Sequence, residues 1–370
     1  MSISVTQRLA ALRESIPPVS VAEAARRVEA GAWLIDIREA DEIAQGTPTA
    51  ARALGRGFLE MRLESEGVAA DDTLLLLCAS GSRSLLAAEQ LRGLGYTDVH
   101  SVDGGFDAWK DAGLAFVTPT LLDGADRARY ARQLTLPEVG EAGQTKLRDA
   151  RVLIVGAGGL GSPAALYLAA AGVGHLAIVD HDVVDRSNLH RQILHRDASV
   201  GQPKVRSALA TLTALNPSIE VEPIQARVGS DNAAELVAGH DLVVDGSDNF
   251  AARYAINDAC VAARIALVYG AVERFAGQVG VFPAGGRPCY RCLFASAPPA
   301  GSAPTCAEAG VLGVVPGLVG TLQALEAIKQ IIGMPQTLSA RVLTLDVRSQ
   351  RWRSLEVPAD PCCASCGERA

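Results

Sequence analysis

The sequence has no excess of positive charge. Its 34 lysines and arginines face 41 aspartates and glutamates, for a formal net charge of −7. That balance disfavours non-specific binding to nucleic acid or anionic lipid and leaves room only for a local basic site. The opening stretch, MSISVTQRLAALRESIPPVS, lacks the apolar core of a signal peptide. An uninterrupted run of membrane-spanning length is also missing. The nearest, VLGVVPGLVGTLQALEAI (311–328), is broken by Pro316, Gln323 and Glu326 and reads as a buried helix. No internal repeat is present, and no Ser/His/Asp constellation stands out.

What is present is an ordinary globular composition, 49% hydrophobic and 20% charged over 370 residues, enough for two or three domains. Four of the eight cysteines form two Cys-x-x-Cys pairs. Without a secretion signal these point to a reducing compartment, expected to be the cytoplasm, and to metal or thiol chemistry.

After an N-terminal extension (1–16), residues 17–117 alternate helix and strand signals. PPVSVAEAARRVEAG and SRSLLAAEQLRGLG read as helices, and FDAWKDAG as a short one; WLIDIR, DDTLLLLC and DVHSVDGG read as strands. Alternation of this kind predicts a parallel sheet. TPTLLDGAD (118–126) reads as a linker. From 127 to 370 a larger α/β domain is expected, with strands in RVLIVG, HLAIVD, IEVEPI, DLVVDG, ALVYG, GQVGVF, RVLTLDV and QRWRSLEV. FASAPPAGSAPT (294–305) reads as a mobile loop.

In VLIVGAGGLGS (152–162) a strand runs into Gly156, Gly158, Gly159 and Gly161, and a helix follows. Such a loop lets backbone N–H groups and the helix N-terminus approach phosphates closely. The plain alternative is a tight turn packing helix on sheet. Asp180 ends the next strand, where a carboxylate accepts bonds from ribose hydroxyls. The motif alone does not separate NAD from ATP. The following residues do: Asn188, Arg191, Gln192 and Lys204 are denser in phosphate-directed groups than a dehydrogenase needs, and a triphosphate calls for such cations. Taken singly, each also reads as a solvated surface group. Asp245 and Asp248 close another strand at the expected crevice edge. A carboxylate there suits Mg²⁺, or in the case of Asp248 a helix N-cap.

RYARQ, GAGGLGS, SNLHRQ, GQPK, DGSDN, PCYRC and TCAEAGV occur in this order across 129–312. On these motifs residues 127–370 resemble an adenylyltransferase of the ubiquitin-activating superfamily, of the molybdopterin-synthase and thiamine-biosynthesis type, with a Rossmann-like fold. The resemblance implies ATP-dependent adenylation of the C-terminal glycine of a small ubiquitin-like sulfur-carrier protein ending in Gly-Gly. It implies that Asp180 holds the ribose, Arg191 and Lys204 contact phosphates, Asn188 lines the site and Asp248 is the Mg²⁺-associated carboxylate. Arg132, in RYARQ, matches an arginine that reaches the phosphates of the other subunit, which implies a homodimer. The chemistry needs no general base, because the attacking carboxylate is already ionised; steadying phosphate charge is the main task.

Cys289-x-x-Cys292 and Cys363-x-x-Cys366 are suited to a closed tetrahedral thiolate shell around a structural Zn²⁺; buried or redox cysteines are the alternative. Cys362 offers a competing register. Cys306 matches a family cysteine that takes part in covalent transfer, and reads equally as a partly buried spectator. Cys260, in a helical pattern, reads as core.

LLLLCASGSRS places Cys78 at a strand end, before a short loop and a helix. Loop N–H groups, the helix N-terminus and Arg83 favour thiolate there. A cysteine phosphatase needs Cys-x5-Arg, but Arg83 comes one position early and Ser84 stands in its place. With IDIRE (35–39) and VDGGFDAW (102–109), residues 17–117 resemble a single rhodanese domain. The resemblance implies a Cys78 persulfide, loaded by a persulfide donor, and a mainly structural role for Asp36, Arg38 and Glu39. The segment QGTPTAARAL departs from the family pattern, and so does the N-terminal placement of the domain.

The sequence thus leads to an α/β enzyme with a small rhodanese-like parallel-sheet domain followed by an adenylyltransferase domain with a structural zinc site. ATP, Mg²⁺ and Zn²⁺ are its cofactors. Cys78 persulfide would convert the carrier's acyl-adenylate to a thiocarboxylate, with Cys306 resolving a mixed disulfide. The carrier is of molybdopterin-synthase small-subunit type, or alternatively of a thiamine or cysteine pathway. An NAD-dependent oxidoreductase and a non-catalytic carrier-binding scaffold are the rival readings.

Overall fold

A computed structural model of the chain describes residues 4–43, 45–118, 122–297 and 310–367. The chain divides into two compact units, Met1–Leu121 and Leu122–Ala370.

The first unit holds strands β1 (Trp33–Asp36), β2 (Thr47–Pro48), β3 (Arg52–Ala53), β4 (Thr73–Leu77), β5 (Asp98–Ser101) and β6 (Phe116–Val117). Four of them make a parallel sheet in the order β3-β1-β4-β5. The leucine run of β4 follows from its central place. Leu74 and Leu76 pack with Ile35, Leu85 and Leu91 on one face, and Leu75 and Leu77 with Leu34, Phe106 and Trp109 on the other. Both faces are covered, so the strand is apolar throughout. Within the stretch expected as an N-terminal extension, the described residues from Ser4 onward pack on this unit. Val5–Ser15 is a helix with a Ser4/Gln7 capping box, and its Leu12, with Ile16, joins the core. The atypical QGTPTAARAL segment is ordered too, with β2 pairing antiparallel to β6.

The second unit is built on eight strands: β7 (Arg151–Val155), β8 (His175–Val179), β9 (Glu220–Ile224), β10 (Leu242–Asp245), β11 (Ala266–Glu273), β12 (Ala276–Phe282), β13 (Arg341–Asp346) and β14 (Arg351–Glu356). Their order is β14-β13-β12-β11-β10-β7-β8-β9. The five from β9 to β11 are parallel, and β11 to β14 extend them antiparallel. After β7 the chain moves outward to β8 and β9, then returns to place β10 on the other side of β7. The strand order therefore reverses between β7 and β10, where their carboxyl ends open a crevice.

The interrupted apolar stretch is the helix Val314–Ile332, which packs on the helix Gly161–Ala171. Its polar interruptions are bonded inside, apart from Gln323 Oε1, which is buried with no partner among the described residues. The Gln323 side-chain amide donates to the carbonyls of Asp245 (2.7 Å) and Val268 (3.3 Å). Glu326 accepts from Lys329 Nζ at 2.6 Å and from the Leu338 backbone at 2.7 Å. Among the described residues no helix is long and apolar enough to cross a membrane.

Candidate functional site

At the switch point of the larger sheet lies a cavity of about 870 Å³. Its floor is the loop after β7. Gly156, Gly158 and Gly159 line it, whereas Gly161 acts behind it: a Cβ on Gly161 would stand 1.7 Å from the Gly156 carbonyl oxygen. Only glycine lets the helix start that close to the strand.

The loop is held by groups on both sides of one residue, Ala157. The Ala157 N–H donates to Asp180 Oδ2 at 2.8 Å, and the Ala157 carbonyl accepts from the imidazole of His195 at 2.9 Å. His195 is buried and its other ring nitrogen meets Ser207 Oγ at 3.0 Å, on the helix Lys204–Leu215. Burial holds this histidine below its ordinary pKa, so it is neutral. Nothing in the sequence marked His195, since a single histidine in a loop has no periodicity to betray its role.

Lys204, at the start of that helix, is buried, and its ammonium donates to Asp182 Oδ2 at 2.9 Å. Partial burial opposes ionisation of Asp182, but the hydrogen bond and charge of Lys204 outweigh it and the carboxyl titrates below its ordinary range. Asp180 spends its second oxygen on the Asp182 N–H at 2.8 Å. Asp180, Asp182, Arg191 and Lys204 all line the cavity. Asn188, expected in the wall, stands behind it: its Oδ1 accepts from Arg191 Nη2 at 2.6 Å and so orients the guanidinium that does face the cavity.

From the β10 side Asp248 enters the same cavity, exposed. The N-cap of the helix Phe250–Ala263 is Asn249, whose Oδ1 accepts the Ala252 N–H at 2.9 Å. Asp248 is thus released from the capping role that the sequence left open to it. Asp245 is fully buried and turned toward Arg253 at 3.9 Å, and burial raises its carboxyl pKa against the pull of that arginine. It is a structural residue, out of reach of a cation in the crevice. Two buried polar atoms of the cavity wall, Gln192 Oε1 and Ser247 Oγ, have no protein partner among the described residues. Unpaired groups of this kind suit a polar ligand.

Arg132 sits in the short helix Ala131–Leu134, exposed and outside the cavity lining. Its neighbours anchor the segment: the Tyr130 hydroxyl accepts from Asn216 at 2.8 Å, and the Gln133 side-chain amide donates to Gln144 at 2.8 Å. Cys306 lies outside the described residues.

The sulfurs of Cys289, Cys292, Cys363 and Cys366 lie within 4.8 Å of one another. Cys289–Cys363 is 3.6 Å and Cys292–Cys366 3.4 Å. These separations far exceed a disulfide bond and approach the roughly 3.8 Å edge of a tetrahedron with metal–sulfur bonds of about 2.3 Å. The four residues fit a tetrahedral thiolate metal site. Cys362 is exposed and apart from the cluster, which settles the register on Cys363. Cys260 is core, and burial pushes its thiol pKa far up.

In the first unit Cys78 follows β4 directly and is buried. Its sulfur accepts the Gly81 N–H at 3.1 Å and lies 3.4 Å from Ser84 Oγ, which in turn is 2.8 Å from Ser101 Oγ. The loop's carbonyls are also occupied: Phe106 N–H donates to Cys78 (2.8 Å) and Asp107 N–H to Ala79 (3.1 Å). Gly105 permits this approach, since a Cβ there would lie 2.2 Å from the Cys78 oxygen. Below the loop Arg38 is buried in a fork with Asp36 (Nε–Oδ1 3.0 Å, Nη2–Oδ2 2.6 Å) and reaches the Gly46 carbonyl at 2.6 Å. The Thr47 hydroxyl adds a bond to Asp36 at 2.8 Å.

A doubly wound sheet with a glycine-floored, cation-lined crevice defines a nucleotide-binding protein. The ThiF family profile matches residues 130–365, and the chain belongs to that family. A rhodanese-like domain profile matches residues 20–112. The SAMP-activating enzyme E1 of Haloferax volcanii is 49% identical over 247 residues, which cover 67% of this chain and 91% of that protein. The sulfur carrier protein adenylyltransferase of Thermus thermophilus is 49% identical over 245 residues, 65% of this chain and 90% of that protein. The adenylyltransferase and sulfurtransferase MOCS3 of Anopheles gambiae is 48% identical over 250 residues, 67% of this chain; the chain spans only 57% of that relative's length. In fold the chain is similar to the crystal structure of Escherichia coli MccB, with a TM-score of 0.59 at 24% identity over 67% of this chain and 74% of that one.

Proposed function

We propose that the protein adenylates the C-terminal glycine of a ubiquitin-like sulfur-carrier protein with ATP, and that Cys78 then supplies sulfur to make a thiocarboxylate. One observation carries the reading. A chain with an ATP-sized crevice, faced by Arg191, Lys204 and Asp248, also holds a strand-end cysteine whose sulfur accepts the Gly81 N–H. The names of the relatives support the same pairing of adenylyl and sulfur transfer.

In the first step the glycine carboxylate attacks the α-phosphorus, the bond to the β-phosphate oxygen breaks, and pyrophosphate leaves. The glycine loop and Asp180 orient the nucleotide, and Arg191 and Lys204 balance charge on the phosphates. Lys204 exchanges Asp182 for phosphate as the nucleotide enters. Asp248 would hold Mg²⁺, which supplies charge neutralisation beside the phosphates. In the second step the Cys78 persulfide attacks the acyl carbon and AMP departs, leaving an acyl disulfide. A thiol, with Cys306 the candidate, cleaves it to thiocarboxylate and a protein disulfide, which a dithiol reductant then resets.

The four clustered cysteines hold Zn²⁺ as a structural ion. The active form is a homodimer in which Arg132 serves the neighbouring subunit's crevice. Support comes from its position outside its own cavity and from the exposed Tyr167, Leu318 and Leu325 on the two helices that pack together. The segments 17–117 and 127–370 act as the two catalytic modules.

The test is to mix the protein with ATP, Mg²⁺, a persulfide source and candidate carriers, and to weigh each carrier by mass spectrometry. A gain of one sulfur in place of one oxygen is expected. Cys78→Ser should retain carrier-dependent pyrophosphate exchange and lose thiocarboxylate. Loss of both, or of neither, would sink the relay.

A further inference from the structure

The Cys78 loop has one arginine of its own, Arg83, and that arginine is already engaged. Its two terminal nitrogens meet both oxygens of Glu42, Nη1–Oε2 at 2.7 Å and Nη2–Oε1 at 2.5 Å. Glu42 comes from outside the loop, on the helical turn Ala40–Ile43, and is steadied by the Glu39 N–H at 3.2 Å. A planar fork matched to a carboxylate fills the geometry that an incoming oxyanion would need. Arg38 is no substitute, being buried against Asp36. Around the sulfur itself the Gly81 N–H donates at 3.1 Å and the Ser84 hydroxyl lies 3.4 Å away, while Arg83, whose guanidinium also acts on the sulfur, keeps its paired fork on Glu42.

We propose that Glu42 sets the donor specificity of this loop: by occupying Arg83 it disfavours sulfo-anions such as thiosulfate and leaves an alkyl persulfide as the accepted sulfur source. This rests on the reading of Cys78 as a sulfur acceptor.

The two donor classes make different electrostatic demands. With an alkyl persulfide R–S–SH, the Cys78 thiolate bonds to the terminal sulfur, the donor S–S bond breaks, and R–S⁻ leaves with its electron pair. The product is Cys78–S–SH, and a single negative charge is merely relocated. With thiosulfate the same bond change expels sulfite, so a dianion must approach a thiolate and a dianion must depart. That crowding of charge requires an uncommitted cation. The Arg83 hydrogen bonds hold the Glu42 carboxyl below the ordinary carboxylate range, so the pair stays ionised through neutral pH.

The experiment loads the full chain with thiosulfate or with cysteine persulfide and reads the Cys78 persulfide by mass after tagging. The wild type should load from cysteine persulfide and only poorly from thiosulfate. Glu42→Gln should raise the thiosulfate kcat/KM about threefold to fivefold relative to the persulfide value, the size of a single partly exposed charge-pair effect. Glu42→Asp, which keeps the charge and shortens the reach, should fall between. Adding Arg83→Gln to Glu42→Gln should erase the gain. Thermal unfolding of each variant identifies any that fail to fold. Equal use of both donors by the wild type, or no gain in either folded Glu42 variant, overturns the assignment. Failure of the wild type to load from any donor overturns instead the underlying reading of Cys78.

Discussion

The imidazole of His195 and the carbonyl of Ala157 meet at 2.9 Å beneath the nucleotide loop, and the ring's other nitrogen ties that contact to Ser207. The loop and the helix that carries Lys204 are thereby held in one register. His195→Asn should loosen the loop without touching a ligand. The expected result is a rise of about fivefold in KM for ATP with a smaller change in kcat, as for loss of one buried hydrogen bond of about 1 kcal/mol. A pure fall in kcat in steady-state adenylation would contradict a positioning role.

The same histidine predicts a pH response. Burial lowers the pKa of His195 and of His240 from the ordinary 6.5. The unfolded chain then takes up these protons at a higher pH than the folded one does. Stability from the neutral rings is complete above about pH 6.5 and is lost as the pH falls toward the folded-state values. Urea midpoints for the second unit should therefore drop between about pH 7 and about pH 5.5, with a shallower slope in His195→Asn. Identical slopes would show that the ring is not buried neutral.

Asp248 and Asn249 are neighbours with separable tasks. Asp248→Asn should cut carrier-dependent adenylation by roughly two orders of magnitude with little change in unfolding temperature. Asn249→Ala should cost about 1 kcal/mol of stability through loss of the N-cap. Isotope exchange and calorimetry on the two variants separate the effects, and a stability loss in Asp248→Asn would remove the distinction.

For the cysteine cluster, purified protein is expected to carry about one zinc per chain by elemental analysis. Chelation should raise hydrogen exchange across residues 357–367 while leaving β7 and β10 protected. No bound metal, or exchange unaltered by chelation, would mean the four sulfurs only pack together.

The Asp36 carboxylate accepts five hydrogen bonds inside the first unit: three from the Arg38 guanidinium, one from the Arg38 N–H and one from the Thr47 hydroxyl. Asp36→Ala leaves a guanidinium buried and unpaired, a cost of about 3–5 kcal/mol. Hydrogen exchange over 33–101 should rise sharply in this variant, while pyrophosphate exchange persists if the two units fold separately.

The large elements were readable because their signals are local. Each of the eight stretches read as strands in the second unit is a strand, and the stretch interrupted by Gln323 and Glu326 is the buried helix expected of it. What sequence hid were relationships made by distance along the chain. His195 reaches back 38 residues to Ala157, and Arg83 reaches 41 residues to Glu42. Neither pairing leaves a periodicity. Asn188 shared a motif with Arg191, and only the fold shows that one side chain aims the other. The Asp248/Asn249 choice turned on which of two adjacent capping residues faces the helix. The helix at the start of the chain was passed over because its hydrophobic side, centred on Leu12, is too narrow to distinguish it from a loose tail.

The disposition of the thiols bears on how the molecule survives its own reagents. Reactive sulfur spreads to any accessible thiol, yet among the described cysteines only Cys362 is exposed; Cys78 and Cys260 are enclosed and the other four crowd together. A bulky electrophile added to the intact protein would therefore mark Cys362 first among them. That position offers a spectroscopic handle beside the cluster that leaves the Cys78 loop unlabelled.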